Sequence, residues 1–285
     1  MAGAPAGPTP GLALDGGGSD GRAPTTAVGG GVEAGSGGGR HPAPLLDSTA
    51  MRVLLMRTCL SDAIAPKVWK ATRRALERAG VEVRVPRGQT CCGQPAWNSG
   101  HPGQARAVAR HTIKVFAGTE EVVVPSGSCS AMVVHSYPDL FRGEPDEADA
   151  RDLAARTVEF TQFLARHDLD PRAKPCGAVT VHDSCHMLRA LGDGTSARAA
   201  LDRVPGLEVR EMANTDQCCG FGGTFALNYP ELSARLGDQK AHDAVNSGAP
   251  EVVACDLGCL MHIAGRAHRT GTALRARHIA EVLGS

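Results

Sequence analysis

The sequence predicts an α/β protein of two tandem pseudo-repeat halves, with mainly parallel sheets and cysteines at the C-terminal ends of strands. Three observations carry this. Short β-rich runs alternate with helix-period segments, the order that builds a parallel sheet covered on both faces. Cysteines fall where such runs end, and ligand sites in open α/β sheets lie outside those strand ends. The whole order then occurs a second time in nearly the same register.

The first run, Val53 to Cys59, lines up with Val179 to Cys185. Each is followed by a Cys-Cys-Gly triplet, Cys91-Cys92-Gly93 and Cys218-Cys219-Gly220, after gaps of 31 and 32 residues. A last run ends in Cys129 in one copy and Cys259 in the other, after gaps of 36 and 39 residues from the pair. Between the first cysteine and the pair, 66–79 reads as a helix with Pro66 at its start and Gly80 as its stop. Val68, Ala71, Ala75, Leu76 and Ala79 give it an apolar face. Residues 81–85 alternate like a half-buried strand. The second copy offers a shorter helix over 197–203, a turn at Pro205-Gly206 and a strand from Leu207. Helices over 104–116 and 231–246 follow the two triplets.

This divides the chain into a first half at 51–141, a linker at 142–178 and a second half at 179–285. The linker is expected to hold one amphipathic helix, with Leu153, Phe160 and Leu164 inward. Residues 1–50 carry 14 of the 35 glycines and 6 of the 18 prolines, with no periodicity and little to bury. Such a leader is expected to be disordered. Pattern begins at Met51, the expected natural start if the leader is read-through; a genuine flexible tail is the alternative.

Composition excludes several classes. Acidic and basic residues balance at 30 each, so a nucleic-acid binder working by bulk charge is not expected. Ten aromatic residues supply no base-stacking platform. No apolar run approaches the length of a transmembrane helix. No charged segment followed by an apolar stretch opens the chain, so a cytoplasmic location is expected. There thiols stay reduced, and ten cysteines are metal ligands, redox thiols or small core residues rather than a disulfide framework.

Spacing decides among these. Cys59, Cys91, Cys92 and Cys129, then Cys185, Cys218, Cys219 and Cys259, form two sets in one register, which chance packing does not produce. Thiolates suit iron–sulfur clusters and zinc. Structural zinc usually takes C-x₂₋₄-C pairs, whereas adjacent cysteines fit more easily onto different irons of one cluster. Glycine after each pair permits close backbone approach and N–H donors to sulfur. Iron–sulfur is therefore favoured, with zinc as the alternative. Cys176 has no counterpart, and Cys255 aligns with Pro125. Both read as plain thiols, Cys255 being a lesser candidate for an auxiliary ligand. His186 beside Cys185 is a lesser candidate to ligate or tune the site, with His182 and Asp183 nearby. His135 and His262 read as helix-surface residues, and the basic tail from Arg266 to His278 as a solvated helix face. Gly220-Phe221-Gly222-Gly223 lacks the residues of a phosphate loop.

The stretches Gln89–Gly100, Pro125–Cys129, Cys218–Thr224 and Gly258–His262 carry a family resemblance over 51–285. They resemble the cysteine-rich CCG domain of heterodisulfide reductase and of the iron–sulfur subunits of glycolate oxidase and anaerobic glycerol-3-phosphate dehydrogenase, and above all its lactate-utilization branch. That resemblance implies an iron–sulfur electron-transfer component of a complex oxidising L-lactate to pyruvate. It implies two further lactate-utilization subunits, at least one of them iron–sulfur, and a cytoplasmic or peripherally membrane-associated complex. Substrate oxidation on this chain or on a partner stays open, as does the electron acceptor. In the reductase the last motif is C-x-x-C; here its first position is Ser126 in one half and Asp256 in the other. The four cysteines that remain in each half suit an ordinary four-thiolate cluster, [4Fe-4S], and the departure weakens a thiol–disulfide reductase reading, the second alternative. A non-catalytic zinc scaffold is the third.

Overall fold

The computed structural model describes residues 51–174 and 177–285. The leader 1–50 and Cys176 lie outside the described residues. The first half runs β1 (Arg52–Leu55), α1 (Cys59–Ala63), α2 (Lys67–Arg78), β2 (Glu82–Arg84), α3 (Gln94–Asn98), α4 (Pro102–Val115), β3 (Glu121–Val124), α5 (Gly127–Ala131), a π-helical turn Met132–Ser136, α6 (Tyr137–Leu140), α7 (Glu147–Arg156), β4 (Thr157–Glu159) and α8 (Phe160–Arg166). The second runs β5 (Ala178–Val181), a π-helical turn His186–Ala190, α9 (Ser196–Leu201), β6 (Glu208–Val209), α10 (Thr224–Asn228), α11 (Pro230–Asn246), β7 (Glu251–Ala254), α12 (Leu257–Arg269), β8 (Arg275–His278) and α13 (Ile279–Leu283).

The two sheets repeat one topology, β2-β1-β3-β4 and β6-β5-β7-β8, and every pairing is parallel. Leu55 lies opposite Val123 and Val181 opposite Val253, so the repeat holds down to register. Alternation along the strands sorts side chains into three apolar layers. Val53, Leu55 and Val123 join Val181 and Val253 in an inner core between the sheets. Leu54, Val122 and Val124 face an outer core with α4 and α6, while Val252 and Ala254 face another with α11 and α12. Both faces of each sheet are thus buried, which is why the strands read as near-continuous valine and leucine.

The halves exchange their last helices. Helix α13 packs on α2, and α8 packs on α9. A Cβ on Gly284 would overlap the carbonyl oxygen of Ala71. Arg74 donates to the Gly284 carbonyl at 3.1 Å and Arg78 to that of Leu283 at 2.8 Å. Phe160, Phe163, Val282 and Leu283 are fully buried in the shared core.

Two expectations are corrected. The linker holds α7, β4 and α8 rather than one helix, and β4 is the fourth strand of the first sheet. Leu153, Phe160 and Leu164 are buried as expected, but on two different helices. The basic tail is a helix only to Arg269; Arg275–His278 is β8. Arg277 pairs with Glu251 at 2.6 Å, and His278 is fully buried as the N-cap of α13. Its Nε2 donates to the Cys255 carbonyl at 2.9 Å. The alternation of β8 sends charge outward at every second residue, which imitates a solvated surface.

Candidate metal centre

The first and last cysteines of each set lie where the chain leaves a strand. Cys59 opens α1 behind Thr58, whose hydroxyl accepts from the Ser61 amide. Cys129 lies in α5, capped by Ser126, whose Oγ accepts from the Cys129 amide at 3.3 Å. Cys185 and Cys259 take the matching places after β5 and β7.

The two triplets need their glycines for a steric reason. Gly93 and Gly220 have φ of 91° and 86°, a region that favours glycine. A Cβ there would lie 3.1 Å from the Ala105 carbonyl oxygen and 2.6 Å from that of Ser233. Helices α4 and α11 thus press directly on the turns. The turns aim backbone donors at sulfur: Gly93 N–H to Cys91 at 3.4 Å, Gly220 N–H to Cys218 at 3.3 Å and Phe221 N–H to Cys219 at 3.5 Å.

All eight cysteines line one cavity of about 220 Å³ between the halves. Within the first set, Cys59 contacts Cys91, Cys91 contacts Cys92, and Cys92 contacts Cys129. The second set repeats this as Cys185–Cys218–Cys219–Cys259. Hydrogen bonds from their neighbours hold Cys91 and Cys218 far below the ordinary thiol value, Cys59 and Cys185 being the largest contributors. The same bonds push Cys59 and Cys185 up, with burial adding to the effect. Four sulfurs so close share protons because they cannot all ionise together. A positive centre bound among them would replace those protons.

Of the residues given lesser weight, His186 joins this cavity. Its Nδ1 lies 3.7 Å from the Cys185 sulfur, and its Nε2 lies 3.2 Å from Gln94 Nε2 of the other half. Gln94 also donates to the Ser128 carbonyl at 3.0 Å. Cys255 goes elsewhere. It is buried in the inner core, 3.9 Å from the Thr161 hydroxyl, where desolvation pushes its thiol well up. It does not line the cysteine cavity. Asp183 accepts from Arg198 at 2.8 and 3.1 Å, an ion pair rather than a histidine partner. His135 is exposed, as expected. His262 is half-buried: it bonds the Ser233 carbonyl at 3.1 Å between α12 and α11.

The cysteine-rich CCG domain family matches the chain twice, over residues 53–134 and 179–264. Lactate utilization protein A 1 of Bacillus cereus (strain AH820) is 44% identical over 238 residues, covering 82% of this chain and 99% of that protein. Lactate utilization protein A of Bacillus thuringiensis (strain Al Hakam) aligns with the same identity and coverage. The chain belongs to the CCG cysteine-rich domain family that includes lactate utilization protein A. Among solved structures, a putative Asp/Glu racemase from Yersinia pestis aligns over 82% of this chain and 96% of its own at 11% identity, with a TM-score of 0.33.

As a CCG protein the chain shows what spacing alone did not. Its two CCG sets, each beyond the strand ends of its own sheet, line one cavity together. The seam between the CCG halves is polar. Asp256 accepts from Ser126 Oγ at 2.8 Å, the Ser128 amide at 3.0 Å and Ser184 Oγ at 2.5 Å. His182, buried beside Cys219 and Cys259, is a further candidate that the CCG spacing gave no reason to single out. The sequence carries two signals for it: it lies three residues before Cys185, and it interrupts an otherwise apolar strand end, where the first half has Met56.

Proposed function

We propose that the chain is an iron–sulfur electron-transfer component of a multi-protein system that oxidises L-lactate to pyruvate. The observation that carries this reading is the gathering of eight thiols, in two contiguous sets of four, in one cavity. An all-sulfur donor set with backbone N–H groups aimed at it suits iron–sulfur ligation. Cys59, Cys91, Cys92 and Cys129 would hold one centre, and Cys185, Cys218, Cys219 and Cys259 the other. Bound there, such a centre supplies one-electron transfer.

The protein's own residues prepare the cavity for that task. Gly93 and Gly220 bring N–H donors to Cys91 and Cys218, which stabilises the thiolate forms. Gln94 and His186 tie the two sets together across the seam. The rest of the lining is apolar side chains, hydroxyls, amides and the Asp256 carboxylate, a surface matched to sulfur and metal rather than to a carboxylate substrate. This supports oxidation of lactate on a partner and relay of electrons here. The relatives' name, lactate utilization protein A, supports a system with further members, of which two are proposed and at least one carries iron–sulfur. A set of thiols that must stay reduced to bind metal favours a cytoplasmic complex, and no helix among the described residues is long and apolar enough to cross a membrane.

Protein purified without oxygen should contain iron and acid-labile sulfide in place of zinc. With its partners it should support lactate-dependent dye reduction. Zinc without sulfide would instead establish the scaffold reading.

A further inference from the structure

His182 stands at the end of β5 and is 2% exposed. Neither ring nitrogen bonds an oxygen or another nitrogen; the ring faces the sulfur of Cys259. An imidazole removed from water with only sulfur beside its nitrogens is costly, and the fold has a cheaper solution at hand. The matching position of the first half is Met56, 3% exposed and packed in its outer core. Packing at this place therefore asks only for an apolar side chain.

The ring does not itself line the cysteine cavity but is buried beside two sulfurs that do. A ring nitrogen of His182 and the sulfurs of Cys219 and Cys259 all lie within 4.8 Å of one another. Nitrogen and thiolate ligands on a single metal atom sit at about 2.0–2.3 Å from it, which places them roughly 3.5–4 Å apart. A small inward movement brings these three donors to that spacing. We propose that a ring nitrogen of His182 ligates the metal centre of the second half, so that the two centres differ: four thiolates in the first, thiolates plus one imidazole in the second. This rests on the reading that the cysteine cavity holds metal.

The difference lies in the donor count: the imidazole would stand beside the four thiolates of the second half and would replace none of them. The departure at Ser126 and Asp256 removed one cysteine from each half's motif; His182 restores a fifth donor to the second half alone.

The test uses protein carrying ¹⁵N-labelled histidine, prepared without oxygen. Iron, sulfide and zinc contents are measured first and judge the iron–sulfur reading by themselves. Pulsed EPR of the reduced protein should then show one strongly coupled nitrogen. The coupling should persist in His186→Gln and vanish in His182→Met, which installs the residue already accommodated at this place in the first half. If the metal is zinc or the centre resists reduction, cobalt(II)-loaded protein is read the same way. Absence of a strongly coupled nitrogen, or its survival in His182→Met, overturns the proposal while leaving metal binding intact. Should His182→Met fail to fold, loss of the coupling in His182→Cys, with metal retained, makes the same distinction. Protein that binds no metal at all brings down both readings together.

Discussion

Ser126 and Asp256 hold the same position in the two repeats, and they bond to each other across the seam, Ser126 Oγ donating to Asp256 Oδ1 at 2.8 Å. The pseudo-symmetry of the chain thus meets itself at one hydrogen bond. Asp256 is 4% exposed, and burial opposes its charge. The bonds from Ser184, Ser128 and Ser126 outweigh that and hold its pKa below the usual carboxylate value. With both oxygens engaged, the carboxylate is a bolt between the halves.

Asp256→Ala is therefore expected to destabilise the protein by about 3 kcal/mol or more, since hydrogen bonds to a charged group contribute about 1.5–3 kcal/mol each. Asp256→Asn should cost less, because it keeps the acceptor oxygen. Denaturant unfolding of both variants checks the order. The sign with pH follows from the lowered pKa: the stability Asp256 contributes is present above the unfolded value and is lost as pH falls through the folded one. An alanine variant as stable as the parent would show that the seam does not depend on this carboxylate.

Glu159 gives the opposite slope. It is fully buried at the end of β4, where desolvation pushes its pKa up to about 8 against the hydrogen bonds from Thr161 and Gln162. Its Oε1 has no partner. The folded state therefore binds a proton that the unfolded chain releases near pH 4.3, the ordinary glutamate value. Its stabilising share is complete below that value and is lost as pH rises towards about 8. Glu159→Gln should flatten the fall in stability between pH 5 and pH 9, measured as the urea midpoint. Parallel curves for parent and variant would refute the assignment.

What the sequence made legible was local. The Cys-Cys-Gly turns and the strand-end cysteines were readable because glycine and cysteine are needed at those points whatever surrounds them. Helix α2 was readable from its apolar face and its Pro66 start. Strand β4 was hidden because its three residues lie directly between two helices, so that helical periodicity runs through it. Strand β8 was hidden by Arg275 and Arg277. The meeting of the two cysteine sets was out of reach for a different reason. It depends on α13 packing on α2 and α8 on α9, contacts between distant segments that no local pattern encodes.

The glycines of the two triplets should differ in tolerance. A Cβ at Gly220 meets the Ser233 carbonyl at 2.6 Å, whereas one at Gly93 stays 3.1 Å from Ala105. Both substitutions also carry positive-φ strain of about 1–3 kcal/mol. Gly220→Ala should therefore lose more stability and more bound metal than Gly93→Ala, as read by thermal unfolding and metal analysis. Equal losses would mean that φ strain alone decides the matter.

The ligand assignment itself is most sharply tested by two cysteines of the same half. Cys219 is buried at the cavity among Cys218, Cys259 and His182, while Cys255 is equally buried but lies in the inner core. Cys219→Ser should lower bound metal and abolish activity of the reconstituted complex, because a serine hydroxyl is a poor replacement for a thiolate on a soft centre. Cys255→Ser should leave metal content unchanged and cost about 1–3 kcal/mol of stability, the usual consequence of placing a hydroxyl in apolar surroundings. Burial is alike at the two positions, so a general loss of folding would strike both variants together. Only ligation separates them, and undiminished metal in Cys219→Ser would remove Cys219 from the ligand set.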